Sequence, residues 1–342
     1  MKIAIIGAGI SGLYLAWKLA ERGEDVAVFE RKNSIGKLAC SGLFSDRILD
    51  FIPESKSLIQ NQINSALIYF PHKKIKLEFK KNFFIMSHFE LDNLVAELAK
   101  KSGAKIILNR DISQLECNIL ANEYDRVIGC DGPNSVVREN LGLPAPKYRL
   151  AIQGFISKDY NPPTTSSHSS LCSEWAPDHS DFVETWPVKN GFIWKIPRGK
   201  TVEYGIIGNS KEVKALFDGF IEKNNLQLER IESAVVPQAP TPKFWWWGQG
   251  FLIPSCPKIT LCGDAAGLTK PWSGGGVIWG LTAANILLKN FPDFLRYKQG
   301  MKKFFLPRIA FSKIATKAVY FLGFKMPWLL PKKIKIEGDF LF

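Results

Sequence analysis

The 342-residue chain has six cysteines (Cys40, Cys117, Cys130, Cys172, Cys256 and Cys262) and no Cys-x-x-Cys pair among them, which leaves no pattern for a zinc site or a disulfide framework. No secretory signal is legible at the start, because the apolar stretch Ile3–Ile6 is only four residues long and runs straight into glycines. Long apolar runs are missing too. The C-terminal ones are broken every few residues by Lys, Arg or Pro, far short of the ~20 residues that a bilayer core demands. No nucleic-acid module accompanies the basic charge, so nucleic acid is not an expected partner. These absences leave a reduced, cytoplasmic chain as the expectation, and 46% apolar residues are enough to bury a large core.

Charge is present, and it is uneven. The net charge is +13, and from Lys289 onward twelve basic residues stand against three acidic ones. Phe304, Phe305, Phe311, Tyr320, Phe321, Phe324 and Trp328 are interleaved with those lysines and arginines over a predicted pair of helices. Amphipathic faces of this kind suit an anionic membrane surface, where aromatic rings sink in and lysines stay among headgroups. Peripheral membrane association is therefore expected of the segment 292–342. A docked helix with a solvated basic face is the simpler alternative.

The first thirty residues read as strand, glycine turn, helix, strand. Lys2–Ile6 is an apolar β-run; Gly7-Ala8-Gly9-Ile10-Ser11-Gly12 follows at once; Leu13, Leu15, Ala16, Leu19 and Ala20 have helical spacing; Asp25–Phe29 is a second strand ending at Glu30 and Arg31. In this setting Gly7 makes the tight turn and Gly9 admits a pyrophosphate against the backbone. Gly12 lets helix and strand close up, and the helix N-terminus faces the phosphate charge. Glu30 stands where a carboxylate accepts hydrogen bonds from ribose hydroxyls. Dinucleotide binding is the expectation.

Two later segments narrow it. One is Arg126-Val127-Ile128-Gly129-Cys130-Asp131-Gly132, a short strand that opens on Asp-Gly. The other is Ile259-Thr260-Leu261-Cys262-Gly263-Asp264-Ala265-Ala266-Gly267, followed by Pro271 and by Gly274-Gly275-Gly276 at the head of a helix. In this order the three segments resemble the FAD motifs of the p-hydroxybenzoate-hydroxylase branch of glutathione-reductase-type flavoproteins. That resemblance implies an α/β fold in which a Rossmann-type FAD domain carries an inserted antiparallel-sheet substrate domain. It implies that Asp264 binds the ribityl chain, and that the backbone of Gly275, Gly276 and Val277 meets the pyrimidine edge of the flavin. A helix starting there turns its positive end toward that edge.

Within the branch the chain is most similar to the geranylgeranyl reductase family. Cys40-Ser41-Gly42-Leu43 matches that family's cysteine-containing flavin-side segment. Phe192-Ile193-Trp194-Lys195-Ile196-Pro197, with Gly205 and Gly208, is similar to its aromatic-x-Trp-x-Phe-Pro and Gly-x-Gly patterns. Three departures stand out: Phe192 replaces Tyr, Ile196 replaces Phe, and the two glycines are three apart instead of two. The resemblance implies FAD as cofactor, with contacts from Cys40 and Ser41. It also implies an isoprenoid lipid as substrate, met by Phe192, Trp194, Pro197, Gly205 and Gly208, and Cys40 as the proton donor. His88 takes the place of an arginine near the pyrophosphate, and Ile112 is expected to offer its backbone to adenine.

The expected division is an FAD domain from 1–58, 86–147 and 251–291, a substrate domain from 59–85 and 148–250, and the basic helical tail. Strands are predicted over Ser65–Phe70, Lys73–Phe79, Tyr148–Ser157, Asp181–Pro187, Gly191–Pro197 and Thr201–Asn209. Trp175, Trp186, Trp194 and Trp245–Trp247 supply aromatic surface for a long apolar tunnel. The activity implied is saturation of isoprenoid double bonds by hydride from reduced flavin. A flavin monooxygenase or halogenase is the alternative, since Trp194-Lys195-Ile196-Pro197 matches the end of the halogenase motif. A third reading is a flavin-containing binding protein on a membrane. With a single dinucleotide fingerprint, ferredoxin, NAD(P)H and F420 all stay open as electron donor.

Overall fold

The protein is described here from a computed structural model over residues 1–157, 181–239 and 256–337. The chain runs β1 (Lys2–Ile6), α1 (Ile10–Ala20), β2 (Asp25–Phe29), β3 (Leu43–Ser45), α2 (Ile48–Phe51), β4 (Asn61–Phe70), β5 (Lys73–Ile85), α3 (His88–Lys101), β6 (Lys105–Ile107), α4 (Gln114–Glu123), β7 (Arg126–Gly129) and α5 (Val136–Asn140). It continues through β8 (Tyr148–Ser157), β9 (Phe182–Val188), β10 (Gly191–Arg198), β11 (Thr201–Gly208), α6 (Val213–Lys223), β12 (Arg230–Pro237), β13 (Ile259–Leu261), α7 (Val277–Asn290), α8 (Phe294–Lys325) and β14 (Lys333–Ile336).

Two sheets result. The first has five parallel strands in the order β13-β7-β1-β2-β6. Its central strand is buried on both faces, with Ile3, Ala4 and Ile5 wholly inaccessible, as expected of a parallel sheet covered by helices. The second has nine strands along β12-β8-β11-β10-β9-β4-β5-β14, with β3 beside β5. It is mostly antiparallel, and β9 alternates strictly between more and less buried residues. Two of its joints are parallel, β4 with β9 and β5 with β14. A parallel joint needs a long crossover, and here each crossover passes through the first sheet's layer. The nine-stranded sheet is therefore mixed at its middle and at one edge.

The tail differs from its expected form. One 32-residue helix, α8, replaces the expected helix pair and passes through Pro307. Phe294, Tyr297, Met301, Phe305 and Ile309 form a continuous buried stripe, and the Tyr297 hydroxyl donates to the Leu261 carbonyl at 3.0 Å. Tertiary packing of that stripe outweighs the backbone hydrogen bond lost at proline. The segment is not wholly helical either, because β14 adds a strand beyond it, held partly by Lys333 Nζ to Glu78 Oε1 at 2.7 Å. Among the described residues, no helix is long and apolar enough to cross a membrane.

Candidate active site

A cavity of about 920 Å3 opens at the C-terminal ends of β1, β2 and β7 and continues to the face of the nine-stranded sheet. Its first stretch is the glycine turn. Gly7 has φ +102°, and a Cβ there would overlap the Cys130 carbonyl, so only glycine lets β1 turn so close to β7. Gly9 has open space where a side chain would be, and it faces the cavity with Ser11. Gly12 lies outside the cavity lining, against the Gly7 carbonyl. The α1 N-terminus has no side-chain cap, leaving its amides for a ligand.

Glu30 sits at the tip of β2. Its carboxylate accepts from the Ala8 amide at 2.8 Å and the Lys32 amide at 3.0 Å, which fixes it at the cavity edge beside Arg31. Ile112 lines the same end and is buried. At the other end Asp264, Gly275, Gly276 and Val277 come together where α7 begins. Gly276 is the N-cap of α7 and contributes no side-chain cap. A Gly7 turn that a Cβ would block, a ribose-side carboxylate, and two uncapped helix N-termini, α1 and α7, that meet along one cavity with Ser11 packed against Gly280, fit FAD.

Cys40 and Ser41 lie on the loop between β2 and β3, midway along the cavity. His88 and Asp92, one turn apart on α3, reach the same wall and are buried there, with His88 Nε2 3.3 Å from Asp92 Oδ1. The Lys37 amide donates to Asp92 Oδ2 at 3.0 Å, and the Gly42 amide donates to the Cys40 sulfur at 3.4 Å. Burial opposes charge on all three ionisable partners, and their mutual attraction reverses it. Burial alone would raise the Cys40 thiol, but the neighbouring His88 and Lys37 hold it below its ordinary value. Burial works against the His88 imidazolium, yet Asp92 and Cys40 raise it to about 10. Lys37 is likewise held charged against burial by Asp264, Cys40 and Asp92.

The nine-stranded sheet supplies the remaining wall through Val183, Phe192, Trp194, Ile196 and Ile207. Phe192 stacks on Trp272 at 5.7 Å between ring centroids. Pro197, Gly205 and Gly208 do not line the cavity. Gly205 instead makes room for the Trp194 ring, into which its Cβ would project. Trp186 also lies elsewhere, stacked on Tyr69 at 5.3 Å. Trp175 and Trp245–Trp247 lie outside the described residues.

Sequence reasoning missed a second buried group. Glu203 is wholly inaccessible; it accepts from the Trp194 indole at 2.8 Å and pairs with Arg198 Nε at 2.5 Å. Burial pushes its carboxyl up, against the pull of Arg198 and Trp194. The other arm of Arg198 donates to the carbonyls of Cys40, at 3.0 Å, and Ser41. Arg198 follows Pro197 directly, so the motif pointed near it, but nothing local marks Glu203, whose partners arrive from the neighbouring strand.

The fold and the cavity define an FAD-dependent oxidoreductase of the glutathione-reductase type. Residues 5–51 match the NAD(P)-binding Rossmann-like domain family. Along nearly its whole length the chain is similar to curated digeranylgeranylglycerophospholipid reductases. It is 26% identical to that of Methanococcus vannielii, over 92% of this chain and 86% of the relative, and 24% identical to that of Methanocaldococcus jannaschii, over 80% and 72%. Among solved structures, a geranylgeranyl bacteriochlorophyll reductase-like protein from Thermoplasma acidophilum superposes with a TM-score of 0.68 at 20% identity, over 93% of this chain and 86% of that one. The halogenase PltM, solved in complex with FAD, shares the fold with a TM-score of 0.64 at 14% identity, over 95% and 77%. Across most of its length the chain is thus similar to geranylgeranyl reductases, within a fold shared with FAD-dependent halogenases.

Proposed function

We propose that this protein reduces isoprenoid double bonds of a geranylgeranyl lipid. The observation that carries the reading is the continuity of one cavity, from the dinucleotide cradle at Gly7 and Glu30, past Cys40, to the apolar wall of Phe192, Trp194 and Ile196. Bound reduced FAD supplies the hydride. The chain supplies the rest. Gly7, Gly9, Ser11, Glu30, Arg31, His88 and Ile112 hold the diphosphate and adenosine side, and Asp264 with the backbone of Gly275–Val277 holds the flavin side. Phe192 and Trp194 hold the prenyl chain and keep water out. An isolated alkene has no carbonyl to spread negative charge, so a proton must reach one carbon as hydride reaches the other. Cys40, which lines the cavity between the two walls, is the proton donor in this reading.

The tail is read as a membrane-facing surface. Phe311, Ile314 and Phe321 lie on one exposed face of α8, Trp328 and Leu329 extend it, and the exposed Lys317 and Lys325 flank it. Apolar side chains ringed by lysines match an anionic bilayer surface, the place where the substrate resides. Electrons come from ferredoxin, NAD(P)H or F420, and comparing the rates at which each reduces the bound flavin identifies the donor.

Anaerobic incubation of dithionite-reduced holoenzyme with a geranylgeranyl lipid, followed by mass spectrometry, tests the central reading. The expected product has gained one H2 for each double bond reduced. A lipid returned unchanged, or modified only with oxygen or halide in air, would overturn it and favour the monooxygenase or halogenase alternative.

A further inference from the structure

Arg149 is a buried cation without an acid. It stands on β8, where Ala151 and Gln153, two and four residues on, share its face and line the cavity. Arg149 itself stops short of the lining, 7% exposed, behind the turn that leads from Lys270 to the head of α7. Its Nη1 donates to the Trp272 carbonyl at 3.0 Å and its Nη2 to the Lys270 carbonyl at 3.5 Å, while its Nε has no hydrogen-bond partner. The turn closes on itself through the Lys270 amide to the Gly275 carbonyl at 3.0 Å and the Gly274 amide to the Lys270 carbonyl at 2.9 Å. Gly274 brings the guanidinium to the edge of the cavity: it lines that wall, its φ is +72°, and a Cβ on it would stand 3.2 Å from Arg149 Nη2.

Nothing beside the guanidinium neutralises it. Among the described residues no carboxylate pairs with it, and the ionisable residues it meets are Lys270 of the turn and Tyr320 of α8, whose ring packs on Trp272 at 5.0 Å between centroids. The strands alongside offer only apolar side chains there, Val236 of β12, its register partner, and Ile207 of β11. Burial lowers its pKa to about 10, which leaves it charged at neutral pH. A neutral amide could hold such a turn without the desolvation cost of a buried charge, so a clamp alone does not account for an arginine here. The charge is felt at the cavity wall by Gly274, where it adds to the positive end of α7.

We propose that Arg149 is a positioning residue that holds the Lys270–Gly276 turn against the flavin and, through its charge, favours the reduced cofactor. This rests on the placement of the flavin beside Asp264 and Gly275–Val277. Reduction adds negative charge to the cofactor, and a fixed cation behind the turn stabilises that form more than the oxidised one. The electrons come from the donor, or from dithionite in the test; Arg149 is neither oxidised nor deprotonated.

The midpoint potential of the bound flavin, read by absorbance against a reference dye in purified FAD-loaded protein, tests this without any lipid. Arg149→Gln keeps a donor for the turn and removes the charge. It should make the flavin harder to reduce, by about tenfold in the oxidised-to-reduced ratio at a fixed potential, or about 30 mV for two electrons. Arg149→Lys keeps the charge and should stay near the wild-type potential at about pH 6. A lysine starts from a lower pKa than arginine and burial lowers it further, so this variant should fall below the wild-type curve as pH rises toward about 9. A wild-type potential in Arg149→Gln would overturn the proposal. So would an equal drop in both variants at the acid end, because a displaced turn would then explain it. If Arg149→Gln does not hold FAD, the Arg149→Lys curve decides, and one parallel to the wild type throughout overturns the proposal. Loss of FAD from both variants overturns it as well, leaving Arg149 a strut of the fold. Full FAD retention by Asp264→Ala would sink the placement of the flavin. An unshifted potential in Arg149→Gln alongside weakened FAD binding in Asp264→Ala would sink the role of Arg149 alone.

Discussion

Arg198 Nε lies 2.5 Å from Glu203 Oε2, and the carboxylate it neutralises has no solvent access at all. The same guanidinium donates to the Cys40 and Ser41 carbonyls, so a pair inside the nine-stranded sheet fixes the loop that carries Cys40. Removing one partner strands a buried charge. Arg198→Met should therefore cost about 3–5 kcal/mol of stability. Adding Glu203→Gln should return part of it, because the glutamine carbonyl still accepts from the Trp194 indole while the charge is gone. Denaturant titration of the two variants checks the order, and lipid turnover should stay low in both because the Cys40 loop has lost its clamp.

Cofactor retention should depend on the two carboxylates at opposite ends of the cavity. Glu30→Ala and Asp264→Ala are each expected to weaken FAD binding on the order of tenfold or more, the scale of a lost hydrogen bond to a charged group. Because Glu30 also ties down the Ala8 and Lys32 amides, its loss should loosen the turn itself. Flavin fluorescence on dilution measures release. Wild-type retention in both variants would remove these residues from the cofactor site.

Cys40 should matter for turnover and for the pH dependence of folding. Cys40→Ala is expected to keep FAD and slow lipid reduction by about 100-fold, the usual scale of a positioned proton donor. For stability, Cys40→Ser is more telling. Unfolded imidazole gives up its proton near 6.5, while folded His88 holds it to about 10. Between about pH 6.5 and the ordinary thiol value near 8.5, a native imidazolium–thiolate pair and an unfolded pair of neutral imidazole and thiol bind equal numbers of protons, so their contributions to the pH slope cancel. Without the thiol, the native state binds the extra proton alone. The stabilisation from His88 in Cys40→Ser should then be fully present below pH 6.5 and fall, by up to about 1.4 kcal/mol per pH unit, as pH rises to a folded value that Asp92 alone still holds above the ordinary one. Chemical denaturation from pH 6 to 9 compares the slopes.

The exposed face of α8 should bind anionic vesicles. Lysine attraction is worth about 1 kcal/mol per residue close to the surface and is screened beyond ~8 Å in physiological salt, whereas the apolar contribution is not. Binding of the full chain should therefore weaken but persist at high ionic strength. Phe321→Ser with Trp328→Ser should remove the salt-resistant part and leave flavin absorbance unchanged, since both side chains point outward at 58% and 69% exposure. Equal sedimentation of wild type and double variant with vesicles would refute the role of this face.

The backbone turns that line the cavity were legible in short stretches of sequence, because their geometry is local. A turn that needs Gly7, a strand that ends on Glu30, and a helix that begins after Gly276 are each specified by a few consecutive positions. Strand placement followed for the same reason: period-two alternation and turn residues place β8, β10 and β11 within a residue or so of their ends. The tail was harder. Charge and aromatic content announced a helix pair with unlike faces, but the buried stripe from Phe294 to Ile309 depends on other elements such as Leu261 of β13 and Trp279 of α7, and β14 pairs with β5 more than two hundred residues away. Tertiary structure alone decided which groups meet at Cys40. His88 and Asp92 are neighbours by helical spacing, Arg198 and Glu203 by hairpin register, and the two pairs converge on one loop only because the nine-stranded sheet packs against the mouth of the parallel one. Sequence spacing carries information along an element; the charge state of Cys40 comes from groups on different elements, and it exists only when they are folded together.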